Sequence, residues 1–181
     1  MIKGIIFDYD GTISDSIDIK TQAFAELYKP YGSEIVDKVV DYHIANGGVS
    51  RFEKIKYFHK QFLNKNLRPE KILEISNSFS KLVIKNVIIA PYITGAYEFI
   101  STNHGYRMFI STATPQDEII TILTEKKIIK YFDIVLGSPT SKSQHIKIII
   151  KQFKYSSNEL VYIGDSLSDQ EAAEDNKTYF I

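Results

Sequence analysis

Cysteine and tryptophan are absent from this 181-residue chain, and methionine occurs only twice. Without cysteine there is no disulfide framework, no thiol nucleophile and no Cys-ligated zinc. An excess of one charge is missing too. The 22 basic and 22 acidic side chains cancel, so nothing electrostatic favours nucleic acid or an anionic membrane as a partner. No apolar run approaches the ~20 residues of a membrane-spanning helix. The first such run meets Asp8 too soon for a signal peptide. These absences give the expectation of a soluble, cytoplasmic protein. What is present is globular in character: 44% apolar and 24% charged residues, enough for a real core. The length fits one domain, or one domain carrying an inserted lobe.

Short continuous apolar runs, the mark of buried parallel strands, occur at Lys3 to Phe7, Met108 to Ile110, Ile134 to Leu136, Leu160 to Ile163 and Tyr179 to Ile181. Helical patterns at Asp117 to Lys127 and His145 to Phe153 separate the later runs, which predicts an α/β fold with a Rossmann-like, doubly wound parallel sheet in three layers. Residues 15–90 read differently. Ile17, Phe24, Leu27 and Tyr28 form one helical stripe. Ser50 and Glu53 form a capping-box pair opening a second helix, and Pro69 opens a third. The expected organisation is a sheet domain of residues 1–14 and 91–181, interrupted by an all-helical domain of residues 15–90.

Open α/β sheets bind ligands beyond the carboxyl ends of their strands. Asp8-Tyr9-Asp10-Gly11-Thr12 follows the first run, Ser111-Thr112-Ala113-Thr114 the second, and Gly164-Asp165-Ser166-Leu167-Ser168-Asp169 the fourth. Four carboxylates and a hydroxyl would meet on one rim. Carboxylates that close need a counter-charge, and Mg²⁺, a hard cation taking oxygen ligands, suits a rim that also receives phosphate. The Asp-x-Asp-Gly-Thr pattern should arise by chance in fewer than about one chain in a hundred of this length. Other pieces have plainer readings: Asp169 as an acid favoured by a helix N-terminus, Thr114 as an N-cap ahead of Pro115.

Taken together, these motifs resemble those of the haloacid dehalogenase superfamily, and specifically its phosphatases with a helical cap inserted between the first two motifs. Asp8 to Thr12 match the first motif, Thr112 the second, and Gly164 to Asp169 the acidic fourth. Lys142 matches the third-motif lysine, 23 residues before Asp165; the residues alone do not single it out. The resemblance implies a Mg²⁺-dependent phosphomonoester hydrolase acting on a small phosphorylated metabolite through an aspartyl phosphate. Asp8 would be the nucleophile and Asp10 the general acid and base. Asp8, Asp165 and the Asp10 carbonyl would hold the metal, Thr112 and Lys142 the phosphoryl group, and Asp169 would support Lys142 or metal-bound water. A phosphomutase using the same residues, and a non-catalytic binding protein of the same fold, are the alternatives. Family members usually continue past the strand that here reaches Ile181, so the expectation is either a minimal version or one lacking a tail, in which case that segment or a partner would cover Tyr179 to Ile181.

In the helical domain, Gly47-Gly48 precede the helix whose first turn carries Arg51 and Lys54. Cations there oppose the helix dipole, which points to an anionic ligand, with Arg51 ahead of Lys54; a solvated basic edge paired with Glu53 is the other reading. His43, His59, His104 and His145 show no metal-ligand spacing, and His59 is expected on a helix surface. Tyr28, Phe58, Phe62 and Phe79 read as core.

Overall fold

Five parallel strands form one sheet in the order β3-β2-β1-β4-β5: β1 (Gly4–Phe7), β2 (Arg107–Pro115), β3 (Ile134–Ser138), β4 (Leu160–Ile163) and β5 (Tyr179–Phe180). The structure is a computed structural model that describes residues 1–102 and 105–181, so His104 lies outside the described residues. β1 is the central strand and is buried at all four positions, which is why its sequence is a continuous apolar run rather than an alternating one. Ile5 and Phe7 face one layer, with α5 (Ala96–Thr102) and α6 (Gln116–Glu125); Ile6 faces the other, with α7 (Lys142–Phe153) and α8 (Leu167–Asn176). The chain builds β2 and β3 on one side of β1, then crosses to β4 on the other. That reversal places the carboxyl ends of β1 and β4 at the switch point where such sheets bind ligands.

Four helices come between β1 and α5: α1 (Ile17–Tyr28), α2 (Ser33–Ala45), α3 (Arg51–Phe62) and α4 (Pro69–Ile89). Three were legible as periodic segments. The fourth, α2, buries only Val39 and His43 fully, too thin a stripe to stand out in sequence. Aromatic rings fill the centre of this layer: Phe24 lies 4.3 Å from Phe79 and 5.5 Å from Phe58, and Tyr28 lies 5.3 Å from Phe58, centroid to centroid. His59 is not on the surface as expected. It shares the buried face of α3 with Ile55 and Phe58, and its Nδ1 lies 3.1 Å from both Tyr28 Oη and the Ile55 carbonyl.

The outgoing and returning chains cross side by side. Asp15 N donates to the Pro91 carbonyl at 2.9 Å, and Ile93 N to that of Ile13 at 3.0 Å. Beside them Lys126 Nζ, just past α6, donates to the Ile88 and Ala90 carbonyls at 3.0 and 2.7 Å. A cation there satisfies the orphan acceptors at the end of α4.

Candidate active site

Asp8 is the first residue after β1, and its N–H continues the ladder by donating to the Ile163 carbonyl at 2.9 Å. The side chain is therefore held at a fixed height on the rim. Its Oδ1 accepts from Tyr9 N at 2.6 Å and its Oδ2 from Lys142 Nζ at 2.7 Å. Burial pushes the Asp8 carboxyl up to about 7; Lys142 opposes that rise, while Asp169 and Asp10 add to it.

Lys142 opens α7, where a cation opposes the helix dipole, yet it is buried. The reason is its partners: Nζ bridges Asp8 and Asp169, the latter at 2.6 Å. Burial acts to lower the Lys142 pKa, but the two carboxylates outweigh it and the net shift is upward. Asp169 does two jobs. As third residue of α8 its Oδ2 accepts from Ser166 N and Oγ, at 3.1 and 2.6 Å, completing a capping box. Its Oδ1 meanwhile holds Lys142. The helix-start reading and the site reading of this residue are thus compatible.

Asp165 stands exposed at the end of β4, with Thr12 Oγ1 at 3.5 Å from its Oδ1. Partial burial and then Asp169 push its carboxyl up. A side chain on Gly11 would collide with the Asp165 carboxylate, and Gly11 adopts φ +79°, so glycine is required there twice over. Asp8, Asp165 and Asp169 each offer an oxygen, all within 4.8 Å of one another. Three hard oxygen donors at one point fit a divalent cation such as Mg²⁺.

The Asp10 side chain turns elsewhere. Oδ1 accepts from Ser16 Oγ at 2.7 Å; Oδ2 accepts from Lys20 Nζ at 2.5 Å and Thr114 Oγ1 at 3.0 Å. Burial acts to raise its pKa, but Lys20 first, then Ser16 and Thr114, win and hold it below the usual carboxylate range. Thr114 is therefore not the N-cap of α6: β2 runs on to Pro115, which takes that position, leaving the hydroxyl free to bind Asp10. Thr112 is buried beside it, accepting from Thr114 N at 3.2 Å. Lys20, on α1, had no signal in the local sequence; only packing of α1 over the rim brings it to Asp10.

The rim and the helical layer enclose a cavity of about 360 Å³, with Asp8, Asp10, Thr112 and Asp165 on one wall and Lys20, Phe24, Lys54 and Phe79 on the other. The loop after α2 seals one side. A Cβ on Gly48 would strike Ser166 Oγ and Ser168 Oγ, so glycine lets the loop rest directly on the start of α8. Arg51 and Lys54 are both buried, not a solvated edge. Arg51 does not pair with Glu53: it makes a two-pronged ion pair with Glu118 of α6 at 2.6 and 2.9 Å and lies 4.4 Å over the Phe79 ring.

A family model described as haloacid dehalogenase-like hydrolase matches residues 5–181. The chain is 24% identical over 181 residues to a phosphorylated carbohydrates phosphatase of Thermotoga maritima, covering 95% of this chain and 80% of that one. It is 22% identical over 179 residues to a phosphoglycolate phosphatase of Yersinia pseudotuberculosis, covering 96% and 77%. A solved haloacid dehalogenase-like hydrolase from Bacteroides fragilis superposes with a TM-score of 0.79 at 19% identity, covering 99% of this chain and 86% of that one. With its motifs on the strand ends and the match spanning nearly its whole length, the chain belongs to the haloacid dehalogenase-like hydrolase family.

Proposed function

We propose that the protein is a Mg²⁺-dependent phosphomonoester hydrolase working through an aspartyl phosphate on a small phosphorylated metabolite in the cytoplasm, with residues 15–90 as a cap over a core of residues 1–14 and 91–181. One observation carries the reading: a buried carboxylate at the central strand end, Asp8, tied to Lys142 and adjoining two further carboxylates in a cavity of metabolite size. The site and the names of the relatives do not favour a phosphomutase or a non-catalytic binding protein.

A carboxylate oxygen of Asp8 attacks phosphorus, forming a P–O bond to Asp8 as the bond to the leaving oxygen breaks. Asp10 gives its proton to that leaving oxygen, then takes one from the water that attacks phosphorus and releases inorganic phosphate and free Asp8. As it stands, Asp10 is ionised by Lys20 and set for the second step. Donation in the first step is favoured when the Lys20 ammonium is not held against the Asp10 carboxyl. Lys142 screens Asp8 from the incoming dianion, and the Thr112 hydroxyl donates to a phosphoryl oxygen. Asp8, Asp165 and the Asp10 carbonyl would hold Mg²⁺, with Asp169 close by, and the ion would supply positive charge to the phosphoryl oxygens.

Inorganic phosphate release from a panel of phosphorylated metabolites tests this, with Mg²⁺ and with chelator, in wild type and Asp8→Asn. Metal-dependent release that the variant lacks is the expected result. Equal release with chelator, or by Asp8→Asn, would overturn the proposal.

A further inference from the structure

Three basic side chains line the cavity, and they differ in what faces them. Lys20 has Asp10 and Arg51 has Glu118. Lys54, at 1% exposure, has no carboxylate among the described residues: its Nζ meets His43 Nδ1 at 2.8 Å and the carbonyls of His43 and Gly47 at the longer distances of 3.4 and 3.5 Å. His43 supplies no negative charge. Burial first, then Lys54 and Lys20, lowers its pKa to about 3, so it is a neutral acceptor. A buried ammonium with no carboxylate in contact is costly: burial, then Lys20, pulls the Lys54 pKa down to about 7, with Asp10 opposing from beyond hydrogen-bond distance. Nor is Lys54 needed to balance the acidic rim: Lys20 and Lys142 offset two of its four aspartates, and a divalent cation offsets the rest. The one cation left over stands at a ligand-sized opening.

We propose that Lys54 is a specificity-determining residue whose Nζ binds a second anionic oxygen group, carboxylate or phosphate, on the leaving-group part of the substrate. This rests on the phosphatase reading of the site and narrows it to doubly anionic phosphomonoesters: phosphorylated acids or bisphosphates. Size narrows it further. At about 360 Å³ the cavity lies at the low end of ligand pockets, roughly 300–1,000 Å³, so few carbons separate the two anions. The order expected from sequence is thereby reversed. Arg51, already engaged by Glu118, joins the helical layer to α6, and Lys54 is the free cation. A purely structural Lys54, capping the carbonyls at the end of α2, would treat all substrates alike.

The test compares kcat and KM of wild type, Lys54→Met and Lys54→Gln on three compounds: phosphoglycolate, a small-sugar bisphosphate and propyl phosphate, whose leaving group is neutral. Wild type should prefer at least one of the first two over propyl phosphate. Lys54→Met should lose roughly 10- to 100-fold in kcat/KM on that compound, mainly through KM, and change by less than about threefold on propyl phosphate. Whichever compound shows the loss tells carboxylate from phosphate. Equal losses on all three, or a wild type indifferent to the second anion, would overturn the inference; if Lys54→Met does not fold, Lys54→Gln carries the same comparison. Should no compound release phosphate, the phosphatase reading itself fails. Calorimetric binding to Asp8→Asn, with and without Lys54→Met, then decides about Lys54 alone: binding of the doubly anionic compound lost in the double variant supports it, and unchanged binding overturns it.

Discussion

The two walls of the cavity handle charge in different ways. On the sheet side, Lys142 lies between Asp8 and Asp169, so a buried cation and two buried anions stabilise one another. On the helical side, Arg51 is matched by Glu118 of another layer, and Lys54 makes no ion pair among the described residues. On the sheet side one lysine answers two buried carboxylates and Asp165 stands beside them, a negative surplus that a divalent cation fits, whereas on the helical side Lys54 is a cation with no carboxylate in contact among the described residues. The first arrangement suits chemistry that is the same for every phosphomonoester, the second suits selection among them.

The largest effect that could break this comparison is on the sheet side. Asp8→Asn should lower kcat on the order of 10⁴-fold or more with the fold retained by circular dichroism; a modest loss would move the nucleophile elsewhere. Next, Lys142→Met leaves two buried carboxylates facing each other. Removing one partner from a buried ion pair typically costs about 3–5 kcal/mol, and urea unfolding in chelator should show a loss in that range. An unchanged midpoint would mean the sheet wall is not balanced as described. Arg51→Met should cost somewhat less, because the Glu118 left behind keeps the Ser80 hydroxyl as donor at 2.7 Å, and Arg51→Met with Glu118→Leu should recover most of it. No recovery in the double variant would show that Arg51 does more than answer Glu118.

The smallest effect concerns pH. His145, fully buried in α7, donates from Nε2 to the Gly137 carbonyl at 3.2 Å and, as a neutral ring, accepts from Ser111 Oγ at Nδ1 at 3.0 Å; burial lowers its pKa from 6.5 to about 4. Between those values the unfolded chain binds more protons than the folded one, so stability falls as pH drops from 6.5 toward 4. The contribution is at most roughly 3 kcal/mol. His145→Gln should flatten that slope in denaturant titrations at several pH values; an unaltered slope would assign it to other groups.

The same contrast explains what the sequence could reveal. Asp8, Thr112 and Asp165 sit at fixed offsets from apolar runs, and a parallel strand's end is set by its own residues and its ladder partners. Reading the runs therefore located the rim. Lys142 was legible only through family resemblance, since nothing in Ser141-Lys142-Ser143 distinguishes a buried bridging lysine from a solvated one. On the helical side, residue types were visible but partners were not. Glu118, Lys20 and His43 reach their contacts across 67, 10 and 11 positions in sequence, by docking of helices whose faces alone do not specify a neighbour. The near-invisible stripe of α2 belongs to the same class, as does the burial of His59.

The central claim is that phosphorus is transferred to Asp8 before water attacks it. Rapid quenching of a single turnover, with the phosphoryl group radiolabelled, tests this most directly. The account predicts transient label on the protein, released by hydroxylamine as an acyl phosphate is, mapping to the peptide that carries Asp8 and absent in Asp8→Asn. Inorganic phosphate appearing at full rate with no protein-bound label at any quench time would contradict it.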